Sequence, residues 1–136
     1  MQKIKCFIII FLTAVLCGCS SGNNYARAED PLDAAREFID ACLKGDFTKA
    51  SFYMTDDARN RELLQKQEKS YVGKSKDEKQ EYYNASIIIF EDAAINDATH
   101  IINYQNSYDK TGRKVKVILH NGTWQIDFKY TFDGNL

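Results

Sequence analysis

An α+β fold, helices first and a four-stranded antiparallel sheet after them, is predicted by three observations. Apolar residues recur with a period near 3.6 between 30 and 54, then with a period of 2 from 85 onward. Two turn signals, Asp109-Lys110-Thr111-Gly112 and Asn121-Gly122, divide the second half into strands. The 136 residues, 44% hydrophobic and 27% charged, suit one globular domain.

The chain opens on a leader-like segment. Lys3 and Lys5 precede an apolar stretch from Phe7 to Leu16. A bilayer span needs about 20 apolar residues, so this shorter stretch fits the core of a signal peptide. Leu16-Cys17-Gly18-Cys19 resembles the bacterial lipobox: an aliphatic residue, two small ones, then the acylated cysteine. Cys17 fits worse as acceptor, because Leu16 then occupies the small position. The resemblance implies that residues 1–18 are a lipoprotein signal peptide and that Cys19 carries diacylglycerol and further acyl chains such as palmitate. At about 0.8 kcal/mol per buried CH₂, several chains hold a protein on a membrane. Residues 19–29 then form the lipidated N-terminus and tether, beginning with Ser20-Ser21-Gly22-Asn23-Asn24, and the domain is 30–132. Serine after the cysteine resembles outer-membrane sorting, and no acidic run marks surface export. The expected address is therefore the periplasmic face of an outer membrane.

Composition narrows the partners. A net charge of -1 argues against nucleic acid. Losing Lys3 and Lys5 with the leader leaves 16 basic residues against 19 acidic, a net of -3. Of four cysteines only Cys42 lies inside the domain, so no internal disulfide is expected. Without a cationic neighbour to lower its pKa, Cys42 reads as a small hydrophobe. No Cys/His cluster has metal-ligand spacing, and no phosphate loop or nucleophile elbow occurs, so neither metal nor cofactor is predicted.

Asp30-Pro31 starts the first helix: a cap, then proline at the first helical position, with Asp33 facing the helix dipole. Ala35, Phe38, Ile39, Cys42 and Leu43 form its apolar stripe, and Gly45 ends it. Asp46 caps a second helix, Phe47–Met54, with Phe47, Ala50 and Met54 on one face. Residues 56–81 carry seven basic and seven acidic side chains, with few large apolar residues besides Leu63, Leu64, Tyr71 and Val72. That pattern is a solvated helical surface, broken near Val72-Gly73, and its polarity leaves helix boundaries within 65–80 open. Ser75-Lys76-Asp77-Glu78 is a capping box that restarts a helix.

Strands follow. Ser86–Phe90 is rich in β-branched residues. Ala98–Tyr108 alternates His100, Ile102, Tyr104, Asn106 and Tyr108 against Thr99, Ile101, Asn103, Gln105 and Ser107. Lys114–His120 sets Val115, Val117 and Leu119 opposite Lys114, Lys116, Ile118 and His120. Thr123–Tyr130 sets Trp124, Ile126, Phe128 and Tyr130 opposite Thr123, Gln125, Asp127 and Lys129. The apolar face of this meander needs the helices as its cover.

Pro31-Leu32-Asp33-Ala34-Ala35-Arg36-Glu37-Phe38, followed by Lys44-Gly45-Asp46-Phe47-Thr48-Lys49-Ala50, resembles the opening of nuclear-transport-factor-2-like domains. The closing Asn121-Gly122-Thr123-Trp124-Gln125-Ile126 resembles a late strand of the same group. With the lipobox, the chain over 30–130 is most similar to small bacterial lipoproteins of the lumazine-binding-like family of unknown function. The resemblance implies a cystatin-like cone, in which a curved sheet and the helices enclose a cavity, and dimerisation through the sheet. It implies no activity, since such folds carry enzymes and binders alike.

Enzymes of that fold class place a carboxylate, or a histidine with one, inside the cone. His100 shares a face with Ile102 and Tyr104. His120 and Asp127 alternate outward, which leaves no inward carboxylate on the last two strands and no catalytic residues to assign. Aromatic walls with polar tips suit a small apolar ligand, and His100, Tyr104, Tyr108, Trp124 and Phe128 are the candidate pocket residues. Trp124 is expected against the first helix near Phe38. Three functions stay open. One is a membrane-anchored, non-enzymatic binding or accessory module with a small apolar ligand. The second is an interaction protein that forms a homodimer or binds a partner through its sheet, where Ile101 and Ile118 point outward. The third is a hydrolase or isomerase using His100.

Overall fold

The computed structural model describes Gly22 and residues 24–134. The signal segment 1–18 and the acceptor Cys19 lie outside the described residues. Four helices, α1 (Pro31–Lys44), α2 (Phe47–Phe52), α3 (Ala58–Val72) and α4 (Lys76–Asn84), precede four strands. These are β1 (Ile87–Asn96), β2 (Thr99–Asn106), β3 (Arg113–His120) and β4 (Thr123–Asp127), and a short α5 (Tyr130–Asp133) follows. The strands form one open antiparallel sheet in the order β1-β2-β3-β4. The fold is α+β.

Local chemistry sets the helix caps as expected, although α2 stops at Phe52, short of the expected Met54, which instead pairs with Ile126. The Asp30 carboxylate accepts the Asp33 N–H at 2.7 Å, and Gly45 closes α1 in the left-handed region at φ 76°. Asp46 caps α2 through the Lys49 N–H, and Ser75 and Glu78 form the complete capping box of α4. The polar stretch resolves into α3 ending at Val72, with Leu63 and Leu64 buried on the one face that meets the rest of the fold.

The core lies between α1 and the inner face of the sheet. Phe38, Ile39, Ile102, Val115, Val117 and Ile126 are all buried there. Residues that the sequence places in the tether also pack: Tyr25 stacks on Phe52, Ala28 is buried, and the Tyr53 hydroxyl donates to the Ala26 carbonyl at 2.7 Å. Every helix, strand and core residue described lies within 25–134, so a chain starting at Ser20 keeps all of these contacts.

Three strand expectations change. β1 runs on to Asn96 and carries register shifts between Ile89 and Glu91 and between Ala94 and Asn96. These irregularities re-aim its side chains, so Asp92 falls opposite inward-facing Ile102. β4 ends at Asp127, because the chain turns at Phe128 and the Thr131 N–H bonds back to the Phe128 carbonyl. Phe128 remains in the core, whereas Tyr130 leaves the inner face and sits beneath the Lys116 ammonium of the outer face. The third change is a short parallel pairing of Met54 with Ile126, made by Ile126 N–H to Tyr53 O (2.8 Å) and Thr55 N–H to Ile126 O (2.9 Å). The β3–β4 hairpin is as predicted: Asn121 and Gly122 both have positive φ, 49° and 74°, as a type I′ turn requires.

Asp127 does alternate outward with its partner Lys116, but it is not solvated: only 6% of it is exposed. Helix α3 and the turn after β4 cover it. Asn60, fully buried, gives its amide to Thr55 Oγ1 (2.6 Å), Asp57 Oδ2 (2.9 Å) and Asp127 Oδ1 (3.4 Å), and accepts the Lys129 N–H at 2.7 Å. Lys129 Nζ closes the circuit by pairing with both Asp57 and Asp127.

Candidate functional site

Between α1, the C-terminal half of α3, α4 and one end of the sheet lies a cavity of about 410 Å³. Sites for small molecules span about 300–1,000 Å³. Its floor is apolar: Phe38, Ile39 and Leu43 from α1, Tyr71 from α3, then Phe128 and Phe132. Phe38 meets Phe128 edge-on at 5.0 Å, and Phe128 meets Phe132 at 5.1 Å, so these rings brace one another.

The polar groups gather where β2 turns into β3. Tyr104 and Arg113 are cross-strand partners, which sets them side by side on the cavity wall. Asp109, in the intervening turn, receives Arg113 Nη1 at 3.0 Å and Nη2 at 2.7 Å, a bidentate pair. The Tyr82 hydroxyl donates to the same carboxylate at 3.3 Å, and the Tyr82 ring stands edge-on to Tyr108. Lys74 lies over the Tyr82 ring at 4.9 Å and has no carboxylate partner among the described residues. Burial alone raises the Asp109 carboxyl; the Arg113 guanidinium and the Thr111 N–H outweigh it and hold the group far below the ordinary carboxylate range.

That shift has a pH signature. The folded pKa of Asp109 lies below its unfolded value of about 3.9, so its contribution is complete above that pH and fades as pH falls toward the folded value. An Asp109→Asn variant is expected to be less stable than the wild type at neutral pH. The gap should narrow progressively below about pH 4. Urea midpoints measured between pH 2 and 7 check this, and a gap that stays constant would refute the assignment.

Two further wall residues are neutral. Burial pushes the Cys42 thiol up to about 12, and the little surface it keeps faces the cavity, so it is an apolar wall element and no nucleophile. Burial likewise raises the Tyr104 phenol well above its usual range. Tyr104 is 7% exposed, and its hydroxyl, which has no hydrogen-bond partner among the described residues, opens into the cavity.

Of the five residues that the alternation places in a pocket, Tyr104 and Phe128 line this cavity; Tyr108 does not, and stands exposed with its ring edge-on to Tyr82. His100 and Trp124 do not line it. They meet edge-on at 5.5 Å near the opposite end of β2, four residues from Tyr104 and so roughly 13 Å along the strand. Trp124 thus leaves Phe38 to Phe128. The carboxylate missing beside His100 is Asp92, whose Oδ1 sits 2.7 Å from Nδ1. It is brought in by the irregular register of β1, which strict alternation does not reveal. The Asp109–Arg113 pair was equally hidden, because turn residues look solvated until the strands on either side are aligned. No protein-family model and no curated protein matches the chain.

Proposed function

We propose that the protein is a lipid-anchored binding module of the bacterial cell envelope, non-enzymatic, holding a small apolar ligand between its helices and a cone-like curved sheet. The observation that carries the reading is the cavity of about 410 Å³, whose apolar floor ends in a hydroxyl with no protein partner. The Tyr104 ring is buried while its hydroxyl opens into the cavity, so the oxygen is free to bond whatever enters. The wall favours binding over catalysis. Its carboxylate, Asp109, is committed to Arg113, and its thiol is neutral, which leaves neither a general base nor a nucleophile there. The helix–Lys44-Gly45-Asp46–helix opening supports kinship with nuclear-transport-factor-2-like lipoproteins, and the lipobox supports attachment through Cys19 at the periplasmic face of an outer membrane.

A second reading, partner binding or homodimerisation through the sheet, is favoured by β1. Phe90 is 61% exposed and Ile88 is exposed beside it, on a strand with a neighbour on one side only. Ile101 and Ile118, the outer-face residues that suggested such a surface, are half-buried.

One experiment separates the two. Residues 20–136, exported to the periplasm of a related host, are weighed by mass spectrometry under native and then denaturing conditions. A discrete small-molecule increment in the native mass, retained in His100→Ala, is the expected result. A bare chain mass as monomer removes the binding reading, and a bare dimer transfers the case to the β1 surface.

A further inference from the structure

The cavity's charges do not balance, and the imbalance specifies its ligand. Among the residues lining it, Lys74 and Arg113 are cationic and Asp109 alone is a carboxylate. Asp109 neutralises Arg113, whereas Lys74 has no ion-pair partner in the cavity wall; the carboxylate that feels its charge, Glu78, lies outside the lining and is engaged in the Ser75 cap. Arg113 spends three donors, two on Asp109 and one on the Thr111 carbonyl, out of the five that a guanidinium carries. The rest have no acceptor among the described residues. Beside it, Tyr104 buries its ring and turns a hydroxyl without a protein partner among the described residues into the cavity, next to its cross-strand partner Arg113.

We propose that the cavity selects an amphipathic monocarboxylate, its apolar body on the Phe38–Phe128 floor and its carboxylate received by Tyr104, Arg113 and Lys74. This rests on reading the cavity as a ligand site and adds the ligand's chemical class. A neutral molecule would leave the Lys74 ammonium without an ion-pair partner inside the cavity, and an organic cation would meet two like charges at the rim. A carboxylate is the acceptor that all three groups share, each being a donor on the cavity wall. Asp109 keeps the guanidinium fork turned to one side, so the charge is already oriented when the ligand arrives.

The test compares decanoate with 1-decanol, its uncharged counterpart, by calorimetric titration of residues 20–136 at pH 7.5 and low salt. Decanoate is expected to bind at least about tenfold more tightly, the scale of a charge-assisted contact over a neutral one. Lys74→Gln, at the mouth and outside the core, is expected to weaken decanoate about three- to tenfold and leave decanol unchanged. Tyr104→Phe is expected to weaken decanoate by a similar factor. Equal affinities for the two molecules, or decanoate binding untouched by both substitutions, overturn the proposal and leave the cavity reading standing. Binding of neither molecule, together with a bare native mass, overturns both.

Discussion

Phe38→Ala is expected to cost about 3–5 kcal/mol, a fifth or more of the 5–15 kcal/mol typical of a domain. The ring is 1% exposed and sits where α1 meets the sheet, edge-on to Phe128. Removing it loses the apolar burial, the aromatic contact and the brace that holds Phe128 against Phe132. It also merges the vacated volume with the existing cavity, so the surroundings have little to collapse onto. Equilibrium urea unfolding reads the effect as a lower midpoint with an unchanged slope. A loss below about 1 kcal/mol would mean that the ring is not the joint between the two layers. Phe38→Leu, which keeps most of the volume, should recover much of the stability.

Asn60→Ala is expected to cost about 2–4 kcal/mol although the residue touches no part of the cavity. Its amide donates to Thr55, Asp57 and Asp127 and its carbonyl accepts the Lys129 N–H, all where no water reaches the side chain. Truncation strands the Lys129 N–H, leaves Thr55 Oγ1 with only its bond to the Ile126 carbonyl, and loosens the join between the start of α3 and the end of β4. Asn60→Asp is nearly isosteric but exchanges the donor for a third carboxylate beside Asp57 and Asp127. At neutral pH it should be at least as damaging as alanine, and less so near pH 3, where the added carboxyl is largely protonated. Thermal unfolding of the two variants at both pH values decides it. A neutral-pH N60D as stable as the wild type would show that the amide donors are dispensable.

What could be read directly from the sequence is what depends on neighbours along the chain. Asp30-Pro31, Gly45, Ser75 with Glu78, and Asn121-Gly122 each act within four residues, and each ends or turns an element as its chemistry requires. The stripe of α1 and the inward set Ile102, Tyr104, Val115, Val117 and Ile126 follow from periodicity, and all but the half-buried Cys42 are buried. What stayed hidden depends on register. A shift between Ile89 and Glu91 brings Asp92 to His100, and alternation has no means of announcing it. Asp127 points outward as its parity says, but α3 arrives over it from 67 residues earlier in the chain, at Asn60. The cavity combined both kinds of evidence: Tyr104 and Phe128 were visible as apolar-face residues, while Arg113, Asp109 and Lys74 looked like solvated charges.

The pairing of Met54 with Ile126 has a consequence for how copies of the molecule could meet. It occupies backbone groups on the far side of β4, so hydrogen-bonding valence for another strand is concentrated at β1. A sheet that is open at both margins can add copies without end, as a fibre does. With one margin engaged, growth through the other is self-terminating: two molecules joined β1 to β1 about a twofold axis leave no equivalent site for a third. Under the second reading, in which copies associate strand to strand, the segment after α2 would be the chain stop that limits association to a closed pair.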